Sequence, residues 1–478
     1  MKTTFLAKTQ WWFVAGILLL GGCLRLVRLD QSLWLDEAIN VMAVKTNTLQ
    51  TLIFQYPIGD FHPPLYHALL FWWTALFGYS EVAVRFPSLL FGLGTIVVLF
   101  LLGRTLWNAQ TGLTAALLLA VSGLHIYYSQ EARMYAQAAF FAALSMYFFV
   151  RLWQERSQFS ARLGVGYGLA TLLLLYSEYV PYLLVLTQQI AVLWYRSQFS
   201  RKWLLVWWSI ALVVLLGMIP WWQVFSEQLR VGLQAASQTP AWGQVVGAAS
   251  VKSLFLVPVK FVIGRISLDD KTLYGLAVSV ALLFFAISIT KTLRDWTKSQ
   301  LLWWWLVGPV IAGFAVSFVV PIFSYFRFLF VLPAFYLLAA RGVLLMPPKK
   351  AAVMVTGLLF ISSISTTFYL TTPRFWRENW QEAAVYLKNE GGKEKSAVVF
   401  VTDYQMSPYQ YYGAPLDYYG PIGWQNRSYQ TVFLIRYVQP IFDPQDLVKV
   451  SVEHQGFMKV DERDFNGVTI WKYQKRRE

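Results

Sequence analysis

Long runs of apolar residues, separated by short charged segments, dominate the first 370 residues of this chain. A helix needs about 20 apolar residues to cross the roughly 30 Å of hydrocarbon in a bilayer. Eleven segments come near that length, so the pattern predicts a mainly α, polytopic transmembrane helical bundle over residues 1–370. The predicted spans lie near residues 10–28, 88–103, 112–128, 134–152, 163–179, 181–195, 203–220, 272–290, 301–320, 328–345 and 351–370.

One further apolar segment, Pro64–Tyr79, is shorter than a crossing helix should be. Its length suits a re-entrant or interfacial helix at the membrane surface. Counting it as a span would also reverse the side of every later loop. We therefore expect it to stay on the surface where it begins.

The pattern changes after Pro373, where charged residues return. The stretches Ser396–Val401 and Val468–Tyr473 alternate in the manner of β-strands. Trp380–Lys388 has the pattern of a helix, and a glycine pair at 391–392 supplies its stop signal. These features predict a small soluble α/β domain over residues 371–478.

The amino-acid composition is typical of a protein that lies mainly within a lipid bilayer. The 478 residues are 57% hydrophobic and only 14% charged, and mean hydropathy is +0.46. Net charge is +15, but neither zinc-type spacing nor a glycine-rich phosphate loop accompanies it, so nucleic acid is not an expected partner. A single cysteine, Cys23, excludes an internal disulfide.

The basic residues orient the predicted bundle, because cytoplasmic loops carry an excess of Lys and Arg. The rule predicts a multi-pass plasma (inner) membrane protein with a cytoplasmic amino terminus and an extracytoplasmic domain at 371–478. It also leaves four loop regions outside, at 29–87, 129–133, 221–271 and 321–327. The basic clusters that set this orientation are Lys2 and Lys8, Arg104, Arg151 with Arg156 and Arg162, Arg196 with Arg201 and Lys202, Lys291 with Arg294 and Lys298, and Arg341 with Lys349 and Lys350.

Unusual polar chemistry collects on that outer side, although the orientation was assigned without it. Ionisable groups at span ends beside cavities are functional candidates. The segments concerned are Trp34–Glu37, Phe61–Tyr66, Arg85–Ser88, Tyr128–Tyr135 and Tyr325–Phe328.

Each segment also has a structural interpretation. Asp36 and Glu37 could form a hydrated helix start, since acidic residues favour the first turn. His62 could be an ordinary loop residue before two prolines, and Glu131 with Arg133 could be an exposed ion pair worth little. Arg327 could extend from a helix end towards water. What favours a functional site is that all of these residues lie on the same predicted side of the membrane.

Taken in order, the segments at 34–37, 62–66, 85–88 and 129–135 resemble glycosyltransferase family 39, the C-fold protein O-mannosyltransferase and aminoarabinose transferase group, in its bacterial form. The resemblance implies many spans, a lipid-phosphate sugar donor and an acidic catalytic residue in the first outer loop, which Asp36 matches. It implies a second acidic position opening the next outer loop. Glu131 stands there, where the family commonly has Asp. No motif of the family extends to the carboxyl-terminal domain.

We therefore predict an inverting glycosyltransferase that moves a monosaccharide from a polyprenyl phosphate to an extracytoplasmic acceptor hydroxyl. The departing phosphate needs no general acid, but it needs cations and hydrogen-bond donors, and the acceptor needs a base. The expected catalytic residues are Asp36, Glu131 and Glu37; the expected phosphate-binding residues are Arg133, Arg327, His62, Arg85 and Tyr325; and Trp34 and Tyr66 are expected to contact the sugar or acceptor.

No cofactor or metal is required by this scheme, although carboxylates with His could hold a divalent cation. The expected partners are the polyprenyl phosphate sugar, membrane lipids, and a lipid, glycan or protein acceptor. The competing hypothesis is a transporter of lipid or amphipathic solute, which should show broken helices or inverted halves near the bilayer midplane. A structural component whose outer domain binds a partner is a third hypothesis, but it leaves the acidic and basic segments unexplained.

Overall fold

The computed structural model of the protein describes residues 2–157, 159–238, 247–392, 395–425 and 427–476. The predicted loop 221–271 and the predicted domain 371–478 therefore each include a few positions outside the described residues. The chain forms two compact units. The helical unit comprises Met1–Val27, Leu49–Trp73 and Arg85–Thr371, and the sheet unit comprises Arg28–Thr48, Thr74–Val84 and Thr372–Glu478.

Helices account for most of the described chain before residue 372. In chain order they are α1 (Lys2–Leu26), α2 (Leu35–Thr46), α3 (Leu49–Phe54), α4 (Pro57–Asp60), α5 (Leu65–Phe77), α6 (Glu81–Leu106), α7 (Ala109–Ala120), α8 (Gly123–Ser129), α9 (Tyr135–Gln154), α10 (Ala161–Leu175), α11 (Tyr182–Trp194), α12 (Arg201–Gly217), α13 (Ile219–Gln238), α14 (Val251–Ile263), α15 (Lys271–Lys291), α16 (Trp296–Val316), α17 (Leu332–Leu344) and α18 (Pro348–Thr371).

The protein is a multi-pass membrane protein by the length and composition of these helices. Within the described residues, six helical stretches are long and apolar enough to cross a bilayer, or eight if each of two bent pairs is one span. The predicted count of about eleven is not reached by this criterion. One reason is that α10 and α11 have only 15 and 13 residues, roughly 23 and 20 Å at the helical rise.

Two helix pairs are bent, and one of them breaks where the sequence supplies a cap. α7 and α8 are inclined by 66°, and α12 and α13 by 61°. Ser122 lies between α7 and α8, and its hydroxyl accepts a hydrogen bond from the backbone N–H of His125, which satisfies one of the free donors at the start of α8. The predicted span 112–128 is thus interrupted just before the polar segment that follows it.

The sheet unit contains a five-stranded mixed sheet, which includes the two strands that the sequence predicts. Strands β1 (Ser396–Phe400), β2 (Asp417–Tyr419), β3 (Thr431–Ile435), β4 (Phe457–Phe465) and β5 (Val468–Lys475) are arranged in the order β2-β1-β3-β5-β4. β1 pairs parallel to β2 and β3, whereas β5 pairs antiparallel to β3 and β4. Four helices complete the unit: α19 (Trp380–Gly391), α20 (Met406–Tyr411), α21 (Gln439–Phe442) and α22 (Leu447–His454).

Strands β1 and β3 are buried on both faces, and this explains why they are apolar after their first residues. Alternate residues of β1 point to opposite faces, so Val398 packs with α19 and Val399 packs with α22. The predicted strands near 396–401 and 468–473, and the helix beginning at Trp380, are confirmed.

Two segments from the early part of the chain belong to the sheet unit. The backbone N–H of Leu33 donates to the hydroxyl of Tyr412 at 2.9 Å, and that hydroxyl in turn donates to Glu81 at 3.1 Å. Arg28 stacks on Trp376, with its guanidinium carbon 3.3 Å from the ring centroid. Residues 28–48 and 74–84 are therefore held by side chains more than 300 positions later in the sequence.

Candidate active site

The acidic and basic pair Glu131 and Arg133 lies in a non-helical segment between α8 and α9 of the helical unit. Only 1% of Glu131 and 6% of Arg133 is exposed, so the interpretation as a solvent-exposed pair is wrong. Burying ionised groups costs several kcal/mol unless neighbours compensate. The surrounding residues must therefore compensate for the burial of these two groups.

Three of the polar segments predicted from the sequence meet at this point. The hydroxyl of Tyr66, on α5, lies 3.3 Å from the hydroxyl of Ser88, on α6, and Ser88 donates to the carbonyl oxygen of Arg133 at 3.3 Å. Arg85 is also buried and lies inside α6, which begins at Glu81, seven residues before the predicted span. Tyr66 is 1% exposed, and this burial favours a structural role for its ring over the predicted stacking on sugar.

A buried arginine near the bend between α7 and α8 fixes the start of the same segment. Arg25 donates to the carbonyl oxygen of Ala120 at 3.0 Å and contacts the ring of His125 at 2.7 Å. Ala120 ends α7, where the helix dipole favours a cation. Gln130 then donates to the carbonyl oxygens of Arg25 and Val27, which ties the residue before Glu131 to the end of α1.

The close approach of α6 to this segment depends on a glycine. A Cβ atom on Gly92 would lie 2.3 Å from the hydroxyl oxygen of Ser129 and 3.3 Å from Nε of Arg25. Any larger residue would displace Ser129 and the polar segment that follows it. Gly92 therefore permits the packing that presents Glu131 and Arg133.

His62 has a carboxylate partner that the sequence analysis did not single out, Asp60. Nδ1 of His62 lies 3.1 Å from Oδ2 of Asp60, and Nε2 of His67 lies 3.9 Å from the same oxygen. Burial raises the pKa of the Asp60 carboxyl, but the charge and hydrogen bond of His62, aided by His67 and Arg133, hold that pKa well below its usual range. His62 is thus hydrogen-bonded to a carboxylate and is more than a simple loop residue.

Arg265 and Lys260 are two cations that sequence analysis missed. Arg265 donates to the hydroxyl of Tyr127 and lies 4.3 Å above that ring. Burial lowers the pKa of Arg265, but nearby Tyr127, Tyr325, Tyr128 and Glu131 raise it overall, so the guanidinium stays charged. Burial and the charge of Arg265 together lower the pKa of Lys260 to about 8.

Gly264 explains how Arg265 reaches this position. Its φ of +64° is a left-handed conformation that favours glycine, and a Cβ there would lie 3.1 Å from the backbone nitrogen of Leu124. The hydroxyl of Ser365 anchors the preceding turn by donating to the carbonyl oxygen of Ile263 at 2.5 Å. α14 can therefore end directly against α8.

Tyr325 and Arg327 lie in a 3-10 turn, Tyr325–Val331, that precedes α17. Between them, Phe326 packs against Tyr135, with ring centroids 5.4 Å apart. The Tyr135 hydroxyl is close enough to interact electrostatically with Arg327 and Arg133, and also with Glu131 and Glu178. Among the described residues, none accepts a hydrogen bond from Nε of Arg327. The turn therefore adds a cation to the group around Glu131.

The predicted acidic residues of the first outer loop belong to the sheet unit. Trp34 precedes α2, and its backbone N–H donates to Oε2 of Glu37 at 3.4 Å. Glu37 is fully buried and lies 3.7 Å from Nε of Arg377. These contacts favour a structural role for Glu37. Asp36, its neighbour, is half-buried in the first turn of the same helix.

The donor set of these residues is better suited to an anion than to a metal. Among the described residues, no group of three or more His, Cys, Asp or Glu is arranged to hold a metal ion. Arg, Lys and Tyr predominate around Glu131 instead, and these side chains bind phosphate oxygens.

Two of the residues that the sequence analysis missed could have been identified from their position in the predicted topology. Lys260 and Arg265 are basic residues of the predicted outer loop 221–271, on the side opposite the basic clusters that set the orientation. A cation that departs from the positive-inside bias is a candidate for anion binding. Asp60 carried only a weaker signal, its position two residues before His62.

Sequence comparison supports the resemblance over part of the chain. A family model described as dolichyl-phosphate-mannose-protein mannosyltransferase matches residues 61–222. That range includes His62, Tyr66, Arg85, Glu131 and Arg133. No curated protein sequence matches the chain.

Solved structures with the same fold cover almost the whole chain. ArnT from Cupriavidus metallidurans, in the apo state, is similar with a TM-score of 0.61 and 13% identity, covering 98% of both chains. The same protein bound to undecaprenyl phosphate is similar with a TM-score of 0.57 and 13% identity, covering 99% of this chain and 98% of that one. A third similar structure is the archaeal oligosaccharyltransferase AglB from Archaeoglobus fulgidus, in complex with an inhibitory peptide and a dolichol-phosphate. Its TM-score is 0.54 and its identity 12%, covering 98% of this chain and 74% of that one.

These identities establish a shared fold and leave substrate and activity to be argued from the site. The predicted resemblance to glycosyltransferase family 39 is confirmed by the match of residues 61–222, and the chain has the membrane fold of the C-fold glycosyltransferases.

Proposed function

We propose that the protein is an inverting glycosyltransferase that takes a monosaccharide from a polyprenyl phosphate and transfers it to an extracytoplasmic hydroxyl group. The observation that carries this proposal is the group of cations around the buried carboxylate of Glu131. Arg133, Arg265 and Arg327 belong to it, together with the hydroxyl of Tyr325. A lipid-linked phosphate is an anion that such a group fits.

The arrangement of these cations supports binding of a phosphate. Neither Arg265 nor Arg327 forms an ion pair within 4 Å among the described residues, and guanidinium groups bind phosphate oxygens through two parallel hydrogen bonds. Negative charge increases on the phosphate as the bond to the sugar breaks, and fixed donors stabilise that charge most. Arg133, Arg85, His62 and Tyr325 are the other proposed phosphate-binding residues.

The proposed base is Asp36. It accepts the proton of the acceptor hydroxyl while that oxygen attacks the anomeric carbon, and the phosphate leaves with the electrons of the broken bond. Attack from the face opposite the phosphate inverts the anomeric configuration. Glu131 positions the sugar or acceptor, Trp34 contacts the sugar, and Glu37 holds the turn that carries Asp36.

We also propose the finer topology. α15 and α16 are separate helices of 21 residues each, roughly 31 Å long, and each can cross the membrane by itself. Counting them separately and adding the shorter α10 and α11 gives eleven crossings, with the amino terminus cytoplasmic. A reporter fused after Glu478 should be active outside the cytoplasm; activity confined to the cytoplasm would overturn this orientation.

A transporter is the second candidate, because the two bent helix pairs resemble the broken helices of that class. The two hypotheses differ in whether a sealed compartment is needed. Transfer of sugar from a polyprenyl phosphate donor in detergent solution requires an enzyme, since no gradient exists there. Its absence with every donor, together with solute uptake by reconstituted vesicles, would favour the transporter.

The decisive variant is Asp36→Asn. Removing the base should lower transfer in detergent by about 10²–10⁴-fold, measured with a radiolabelled polyprenyl phosphate sugar and an extracytoplasmic lipid or glycan fraction as acceptor. Asp30→Asn is the matched control, because Asp30 is exposed and lies in the same segment. Equal transfer by the two variants would exclude Asp36 as the base.

A further inference from the structure

The ring of His62 meets two acceptors at the same nitrogen. Nδ1 lies 2.7 Å from the backbone carbonyl oxygen of Asp60 and 3.1 Å from its carboxylate oxygen Oδ2. A carbonyl oxygen and a carboxylate can only accept, so Nδ1 must carry the proton. This contact assigns the tautomer of the neutral ring and leaves Nε2 as the nitrogen available to other groups.

The turn that brings these groups together is strained and anchored. Phe61 has φ +61°, a left-handed conformation that bulky residues rarely adopt. Gln228, from α13, holds the turn by donating to the carbonyl oxygens of Pro57 at 2.6 Å and His62 at 3.2 Å. Backbone strain that the surrounding structure maintains in this way is concentrated at functional sites.

Charged and titratable groups face Asp60 from three other parts of the helical unit. His67 comes from α5, Arg133 from the segment after α8, and Tyr179 from the turn between α10 and α11. The carboxyl group of Asp60, with its lowered pKa, is ionised across the physiological range. A negative charge therefore stands permanently behind His62.

We propose that Asp60 is a positioning residue for sugar transfer: it holds the His62 ring by Nδ1–H and stabilises its protonated form, so that Nε2–H is directed at the departing phosphate. This inference rests on the proposed function. It adds a role for Asp60 that the phosphate-binding role of His62 does not by itself require.

The chemistry of the departing group matches an imidazole. When the bond between the anomeric carbon and the phosphate oxygen breaks, its electron pair stays on phosphate, whose charge changes from one negative to two. The acceptor proton leaves to Asp36, and Nε2–H of His62 donates to the new charge. The second pKa of a phosphate monoester is about 6 and that of imidazole about 6.5, so the proton can be shared or passed across at little cost.

Asp60→Asn tests the role of the charge, because the amide oxygen still accepts from Nδ1–H. Without the carboxylate, His62 should lose its second proton at lower pH. The alkaline limb of the pH profile for transfer should therefore move down by roughly one pH unit, and transfer at pH 8 should fall about tenfold. Glu227→Gln, an exposed carboxylate on α13 paired with Arg230, should leave the profile unchanged.

A spectroscopic measurement separates this inference from the proposed function. The chain has only four histidines, so ¹⁵N-histidine labelling with His62→Gln as the assignment variant isolates the His62 ring. In the wild type, the neutral ring should be protonated at Nδ1 and should titrate at higher pH than in Asp60→Asn.

Three outcomes overturn the inference. A neutral ring protonated at Nε2, or a titration unchanged in Asp60→Asn, refutes the positioning whether or not transfer occurs. The expected titration shift with an unmoved pH profile for transfer shows that the pair exists but does not act in the reaction. If the wild type transfers no sugar from any polyprenyl phosphate, the proposed function fails together with this inference, even when the ring titrates as expected.

Discussion

The cations Arg265 and Lys260 of the helical unit differ in their partners from the cations of the sheet unit. In the sheet unit, cations meet carboxylates at short range: Lys472 lies 2.7 Å from Glu390 and Arg463 lies 3.2 Å from Asp461. Arg265 and Lys260 meet neutral acceptors instead. Arg265 contacts a tyrosine hydroxyl, and Lys260 donates to the carbonyl oxygen of Ile266 at 3.4 Å.

The difference shows where an external anion would bind favourably. A cation paired with its own carboxylate gains little from a further negative charge, and most such surface pairs contribute little stability. A cation that meets only neutral acceptors has no full counter-charge of its own, so it gains more from a phosphate. The contrast therefore points to the helical unit as the site of donor binding.

Among the cations, the largest expected effect comes from removing Arg265. Arg265→Gln keeps most of the side-chain length but removes the charge, so stabilisation of the departing phosphate is lost. Transfer in detergent should fall about 10²–10³-fold, measured under saturating acceptor, with thermal unfolding confirming that the variant is folded. Retention of more than a tenth of wild-type transfer would remove Arg265 from the phosphate site.

A smaller and pH-dependent effect is expected at Lys260, whose pKa burial and Arg265 lower to about 8. Below that pH the ammonium group is charged and attracts phosphate; as pH rises through 8 the charge is lost. Affinity for polyprenyl phosphate should therefore fall by at most tenfold per pH unit above 8, measured by titration in detergent. Lys260→Arg should keep its affinity at pH 9, because an arginine remains charged, and an equal fall in both proteins would contradict the assignment.

The smallest effect on transfer is expected from the sheet unit. Arg436 is paired with Asp446 and lies 4.0 Å above the ring of Trp471. Arg436→Gln should lower the stability of this unit by about 1 kcal/mol, seen as a lower midpoint of thermal unfolding, while transfer stays within twofold of wild type. Arg463→Gln, which removes an exposed pair, should change neither quantity. A large loss of transfer in either variant would show that charges in the two units are not functionally distinct.

Local patterns predicted the fold and part of the site. Apolar runs located the membrane helices, and alternation located β1 and β5, because these signals lie within a few residues. Contacts between distant residues could not be predicted in the same way. Arg377 lies 340 positions after Glu37, and Arg265 follows Tyr127 by 138 positions. The sequence analysis also missed the break at Ser122, because the apolar pattern of the predicted span continues on both sides of this residue.

The composition of the sheet unit has a consequence for biosynthesis. Residues 28–48, which carry Asp36, are translated before most of the membrane helices, yet the groups that hold them, such as Tyr412 and Arg377, are translated after α18. Until then, the early segment lacks these partners. A nonsense mutation between the codons for Thr371 and Arg377 would therefore keep helices α1 to α18 and still deprive the proposed base of its support.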